Sequence, residues 1–258
     1  MAQRTFEELV AEGAAEPVAG WDFSWLDGRA SEARPSWGYQ RSLGGRLGEA
    51  AAVLDLQTGG GEVLGGALDS AVRTPPVLAA TEGWPPNAAK ATELLGPRGV
   101  VVVRTPEEPP LPFADGAFDL VTSRHPATVH WEEIARVLRP GGGTYFAQHV
   151  GPASGFELIE FFLGPLPEEV RRARHPEDEA AGARAAGLEV VDLRTERLRL
   201  EFRDVGAVVY LLRKVIWWVP DFSVERYEGR LRDLHDLIEA TGPFVAHSSR
   251  TLVEARRP

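Results

Sequence analysis

Cysteine is absent from all 258 residues, so disulfides, thiolate zinc sites and a cysteine nucleophile are excluded. No apolar run approaches the ~20 residues that would span a bilayer. The first residues also lack the pattern of a secretory leader. A cytoplasmic protein without a membrane partner is therefore expected. Positive charge is scarce: 28 Lys and Arg stand against 38 Asp and Glu, a formal net charge of −10. That balance repels a polyanion such as RNA unless a local basic face offsets it. Basic clusters do occur, at Arg171-Arg172-Ala173-Arg174 and at Arg256-Arg257. They read as a solvated helix face and a frayed tail. The expected partner is a small molecule, with nucleic acid disfavoured.

The length and the 43% hydrophobic content suffice for a full core, and residues 1–258 read as one α/β domain with insertions. Residues 1–50 have an opening helix at 6–12, then little periodicity but many rings: Trp21, Phe23, Trp25, Trp37 and Tyr39. Such a segment covers the core or forms a lid over a ligand pocket, with Tyr39 nearest the turn described below. From residue 50 the pattern alternates. Strands are expected at 51–56, 77–82, 100–103, 118–122 and 144–150, with helices at 62–71, 87–95 and 131–138 between them. The four valines at 100–103 suit a strand buried on both faces. Beyond 150, helices are expected at 156–163, 176–186, 204–218 and 222–240, and strands at 188–202 and 248–255. The helix at 204–218 carries Tyr210, Trp217 and Trp218, and is expected as an insertion over a substrate side. This alternation predicts a doubly wound, mostly parallel seven-stranded sheet with helices on both faces and a helical, aromatic lid.

The most informative stretch is Val53-Leu54-Asp55-Leu56-Gln57-Thr58-Gly59-Gly60-Gly61-Glu62. It reads as a buried strand, a tight turn and a helix start, in the place where open α/β sheets bind ligands. A dinucleotide fingerprint requires a third glycine where Leu64 stands. It also seats a pyrophosphate on the helix N-terminus, where this chain has the anion Glu62.

This stretch resembles the first motif of class I S-adenosylmethionine-dependent methyltransferases, and the region is similar to the type 11 methyltransferase domain. Leu111-Pro112-Phe113-Ala114-Asp115-Gly116-Ala117-Phe118-Asp119-Leu120-Val121 resembles that family's loop into its fourth strand. Residues 132–142, through Arg139-Pro140-Gly141-Gly142, resemble its following helix and turn. The three stretches come in the family's order and cover roughly residues 50–150.

The resemblance implies a Rossmann-like fold and S-adenosylmethionine as cofactor, with no metal. It implies a cofactor site made of Asp55, Gln57, Thr58, Gly59, Gly60, Gly61, Glu82, Gly83, Trp84, Asn87, Thr105, Ser123 and Arg124. Asp55 would lie under the methionine end, and the 58–61 backbone would approach the carboxypropyl chain. Glu82 would accept from both ribose hydroxyls. Gly83 and Trp84 would border the adenine, and Asn87 would begin the next helix, where it could equally be an ordinary N-cap. Ser123 and Arg124 would line the methionine side. The family's Asp-Ala pair near the adenine amino group is missing, so Thr105 or Glu107 is expected there. His125 is the candidate base, with His149 second. The expected activity is O- or N-methylation of a small molecule. The alternatives are a methyltransferase of ribosomal RNA guanine type, whose cysteine zinc module this chain lacks, and a non-catalytic S-adenosylmethionine-binding protein.

Overall fold

The computed structural model describes residues 4–20, 22–106 and 108–258, so Trp21 and Glu107 lie outside the described residues. In chain order the elements are α1 Phe6–Ala15, β1 Ala30–Glu32, α2 Tyr39–Glu49, β2 Ala52–Leu56, α3 Glu62–Ser70, β3 Val77–Glu82, α4 Pro85–Leu95, β4 Val101–Arg104 and β5 Leu120–Arg124. Then follow α5 Trp131–Val137, β6 Thr144–Val150, α6 Phe156–Leu163, α7 Glu168–Arg172, α8 Pro176–Ala185, β7 Glu189–Phe202, α9 Val205–Lys214, α10 Val224–Thr241 and β8 Phe244–Arg256. The sheet order is β1-β7-β8-β6-β5-β2-β3-β4. From β4 to β6 every neighbouring pair is parallel, while β8 runs antiparallel to β6 and β1 antiparallel to β7. The mostly parallel α/β sheet is present, with one strand more than the seven expected. No helix among the described residues is long and apolar enough to cross a membrane.

Within the span read as one domain, packing forms two compact units. The larger comprises residues 35–152, 174–196 and 250–258. Its strands alternate sides, as a period of two requires. Val53, Leu78, Leu120, Phe146 and Leu252 bury against α2, α3 and α4, whereas Leu54, Ala79, Val121, Tyr145 and Val253 bury against α5 and α8. Helices thus cover both faces of this unit's sheet. The smaller unit contains α1, β1, α6, α7, α9 and α10. Here α1 and α9 cross at two glycines: a Cβ on Gly13 would lie 2.3 Å from the Gly206 carbonyl oxygen. Asp204 caps α9 through the Ala207 amide (2.9 Å) and takes two bonds from the Arg29 guanidinium (2.9 and 2.7 Å).

Three expectations need correction. The aperiodic segment before residue 50 contains β1 and the eleven-residue helix α2. Three glycines and two arginines in or beside its apolar positions hid the 3.6-residue period of α2. The valine strand is not buried on both faces: β4 is the last strand of the order, and Val101 is 63% exposed. Valine content reports strand propensity, not position in the sheet.

Arg257 is not a frayed tail. Its Nη1 donates to the carbonyls of Ala135, Arg136 and Leu138 at 2.7, 2.9 and 2.7 Å. These carbonyls end α5, where intrahelical donors run out and a cation also suits the helix dipole; that of Arg136 accepts from the Gly116 amide as well (2.9 Å). Arg257→Ala should therefore lower unfolding free energy by about 1–3 kcal/mol, seen as a shift of the urea midpoint. The exposed neighbour Arg256→Ala should stay within about 0.5 kcal/mol of wild type.

Candidate functional site

The glycine turn is built around one carboxylate. Glu82, 7% exposed at the end of β3, accepts from the Gly59 amide through Oε2 (2.8 Å) and from the Trp84 amide through Oε1 (2.9 Å). The chain reaches this arrangement through left-handed residues, Gln57 at φ 53°, Gly59 at 64° and Gly61 at 85°. The turn is tied sideways to β3, since the Thr58 amide donates to the Thr81 carbonyl (2.9 Å) and the Gln57 amide to Thr81 Oγ1 (3.1 Å). Gln57 then reaches outward: its Nε2 donates to the Thr128 carbonyl and its Oε1 accepts from the Ala127 amide, both at 2.7 Å. Glu62 begins α3 as expected, but it pairs with Lys90 at 2.5 Å, which offsets its charge. The stronger obstacle to a phosphate is that the Gly59 amide already holds Glu82.

Asp55 lies beneath the turn, 6% exposed, and accepts from Thr122 Oγ1 at 2.6 Å. The Thr58 hydroxyl beside it is buried without a well-formed hydrogen bond. Burial pushes the Asp55 carboxyl up to about 6, with the Thr122 hydroxyl pulling the other way. Ser123 is also buried; its hydroxyl donates to the Leu56 carbonyl (2.9 Å). Tyr39, in the segment read as either core cover or ligand lid, sits in the core. It stacks on Phe146, and its hydroxyl donates to the Ser123 and Phe146 carbonyls at 3.0 and 3.3 Å.

A cavity lies at the carboxyl ends of β2, β3 and β5, the place expected in an open α/β sheet. Gln57, Gly83, Thr105 and Ser123 line it, as the sequence suggested, together with Thr81, His130 and Glu133. It is narrow, ≈30 Å³. Glu82 stands behind Gly83 and Asp55 below the turn. Trp84 is 45% exposed and is itself the N-cap of α4. Asn87, weighed as a possible N-cap, is instead buried in the first turn of that helix. Arg124 ends β5 on the exposed side.

His125 follows Arg124 at φ 57°. Its surroundings define its hydrogen bonding. Trp37 Nε1, which can only donate, gives its proton to Gln148 Oε1 at 2.8 Å. That orients the amide so that Gln148 Nε2 donates to His125 Nε2 at 2.9 Å, leaving the imidazole proton on Nδ1. Burial first, then the charges of Arg124 and Arg250, hold the His125 pKa well below the ordinary histidine value. His149 lies elsewhere, fully buried against the Tyr145 hydroxyl at 2.9 Å and near Glu179.

Residues 54–146 match the family model described as "Methyltransferase domain". They contain the turn, Glu82, the cavity and His125. Over these residues the chain is similar to that methyltransferase domain. The chain is 36% identical over 104 residues to the Escherichia coli K12 protein named "Uncharacterized protein YafE". That match covers 36% of this chain and spans about half, 48%, of the relative. The solved YcgJ protein of Bacillus subtilis shares the fold with a TM-score of 0.55 at 18% identity, over 84% of this chain and 98% of that one. An S-adenosylmethionine-dependent methyltransferase of Mesorhizobium loti gives 0.50 at 15% identity, over 86% and 97%. The [4+2]-cyclase SpnF also gives 0.50, at 19% identity over 97% and 92%. At these identities the structures speak for the fold alone.

Sequence reasoning missed two residues of the cavity at the strand ends. His130 lines it, with Nε2 buried and unpartnered among the described residues. Glu133, also in the lining, accepts from the Leu111 amide (2.6 Å) and from Arg136, clamping the 111–115 loop to α5. The His-Trp pair preceding the helix was a usable signal for His130; nothing local marked Glu133.

Asp55 gives this domain a pH signature. Its native pKa of about 6 lies above the ordinary aspartate value, so the folded state binds the extra proton between about pH 4 and 6. Its ionisation therefore destabilises the fold fully above pH 6 and not below pH 4. Asp55→Asn should raise stability by up to about 3 kcal/mol at pH 8. Urea denaturation should show that gain fading as pH falls through 6 to 4.

Proposed function

We propose that the chain is an S-adenosylmethionine-dependent methyltransferase whose acceptor is a small molecule, methylated on oxygen or nitrogen. The observation that carries the cofactor assignment is Glu82. Its two oxygens each hold one backbone amide, which leaves a lone pair on each for a vicinal diol such as a ribose. Asp55 places a second carboxylate under the same turn. The donor set suits a nucleoside carrying positive charge and no phosphate. When bound, such a cofactor supplies an electrophilic methyl group for in-line displacement. The protein's part is then to align donor and acceptor and to exclude water. Net acidity supports a small acceptor over RNA.

In this proposal Gly83, Trp84 and Thr105 border the base, and Ser123 and Arg124 the amino-acid end. The backbone of residues 57–61 forms the floor. His130 joins them: its unpartnered Nε2 is the polar atom available to the edge of the adenine where the Asp-Ala pair is missing. His125 is neutral at pH 7, the state a base requires, but its low basicity and occupied Nε2 suit it better to holding an acceptor through Nδ1–H.

Calorimetric titration checks the cofactor: S-adenosylhomocysteine should bind and NAD should not. Glu82→Ala should weaken that binding by one to two orders of magnitude, about 1.5–3 kcal/mol. Binding of NAD alone, or unchanged affinity in the variant, would overturn the assignment. For the acceptor class, radiolabelled methyl transfer to a metabolite extract should exceed transfer to RNA, and label in RNA alone would reverse that ranking.

A further inference from the structure

A second cavity, ≈320 Å³ and more open to solvent, lies beside the first, which has ≈30 Å³. Pro126, Thr128 and Val129 line both, so the loop that Gln57 grips is their common wall. Trp131, His149, Arg174, Asp178 and Glu179 complete the lining. No role in the cofactor site uses these five residues.

Their hydrogen bonding is incomplete in a particular way. His149 is 2% exposed. The fully buried Tyr145 hydroxyl bonds to its Nε2 at 2.9 Å; with the hydroxyl donating, the imidazole proton sits on Nδ1. That Nδ1 has no hydrogen-bond partner among the described residues, although Glu179 Oε2 lies 3.3 Å away in poor alignment. The Glu179 side chain is 14% exposed, and no described donor is seated on its oxygens. A largely buried carboxylate without a donor is costly unless a ligand completes it. The lining carries two carboxylates, Asp178 and Glu179, and one guanidinium. Trp131 adds an indole, the ring that best attracts a desolvated cation. Arg174 is held inward only by a long 3.4 Å bond to the Ala127 carbonyl, and leaves the volume open.

We infer that this cavity is a binding site for a small ammonium-bearing molecule. The ligand's N–H group donates to Glu179, its charge lies against Trp131, and its carbon skeleton rests on Pro126 and Val129. His149 stands behind, its Nδ1 3.3 Å from Glu179 Oε2. The site needs no cofactor, so it stands or falls apart from methyl transfer.

The test uses the full chain at pH 7 and two amine probes, benzylammonium and n-butylammonium, each beside its neutral alcohol isostere. Ligand-observed NMR titration should show saturable binding of at least one amine, about tenfold tighter than its alcohol. Glu179→Gln, which keeps the shape, should erase that preference, and Ala127→Trp, which fills the cavity from its outer wall, should abolish binding. An unchanged urea midpoint for Glu179→Gln, and a cooperative urea transition for both variants, confirm that they are folded. Absence of saturable binding of both amines, equal affinity for amine and alcohol, or a preference that survives both substitutions would overturn the inference.

Discussion

One carboxylate and one amide hold the site in place. Glu82 must be buried at the end of β3, and a buried carboxylate persists only with donors on its oxygens. The Gly59 amide is one of those donors, so the turn after β2 has to approach β3 with its N–H groups pointing sideways. That forces left-handed backbone at Gln57, Gly59 and Gly61, which glycine adopts without a Cβ penalty. Gln57, the non-glycine among them, is compensated by bonds from its side chain to the 127–128 backbone. The wall of the cavity is therefore positioned by the same constraint that shapes its floor.

The polar groups at the strand ends are not arranged for stability. Asp55 sits where burial opposes its charge, and His125 where burial and two arginines keep it neutral. Each is surrounded by groups that fix its orientation: Thr122 for Asp55, and the Trp37–Gln148 chain for His125. Residues held this way at a cost are typical of a ligand site built on a rigid sheet. The scaffold is correspondingly well tied elsewhere. Arg136 stitches the 111–115 loop to α5, and Arg46 bonds Glu254 twice while lying 4.1 Å over the Phe146 ring.

Much of the scaffold was legible because its signals are local. Strand and helix periods identified β2, β3, β6, α3 and α6 to within a residue or two, since each buries a face over consecutive residues. The turn announced itself through its glycines. Longer-range facts were not legible. Arg257 looked like a tail residue because the three carbonyls it caps lie about 120 positions earlier. Whether Tyr39 covers the core or a ligand could not be read from its closeness to the turn in sequence; α2 carries it into the core against Phe146.

The sequence by itself determined the fold class and the place of the glycine turn after β2. Those properties follow from hydrophobic period and from where the chain requires glycine, and neither depends on distant partners. Only the tertiary structure decided which polar atoms are already satisfied. It gave the Gly59 amide to Glu82 and the His125 lone pair to Gln148, and left His130 Nε2 and His149 Nδ1 without a hydrogen-bond partner among the described residues. Hydrogen-bond satisfaction is a property of pairs brought together by folding, so no single stretch of chain could have revealed it.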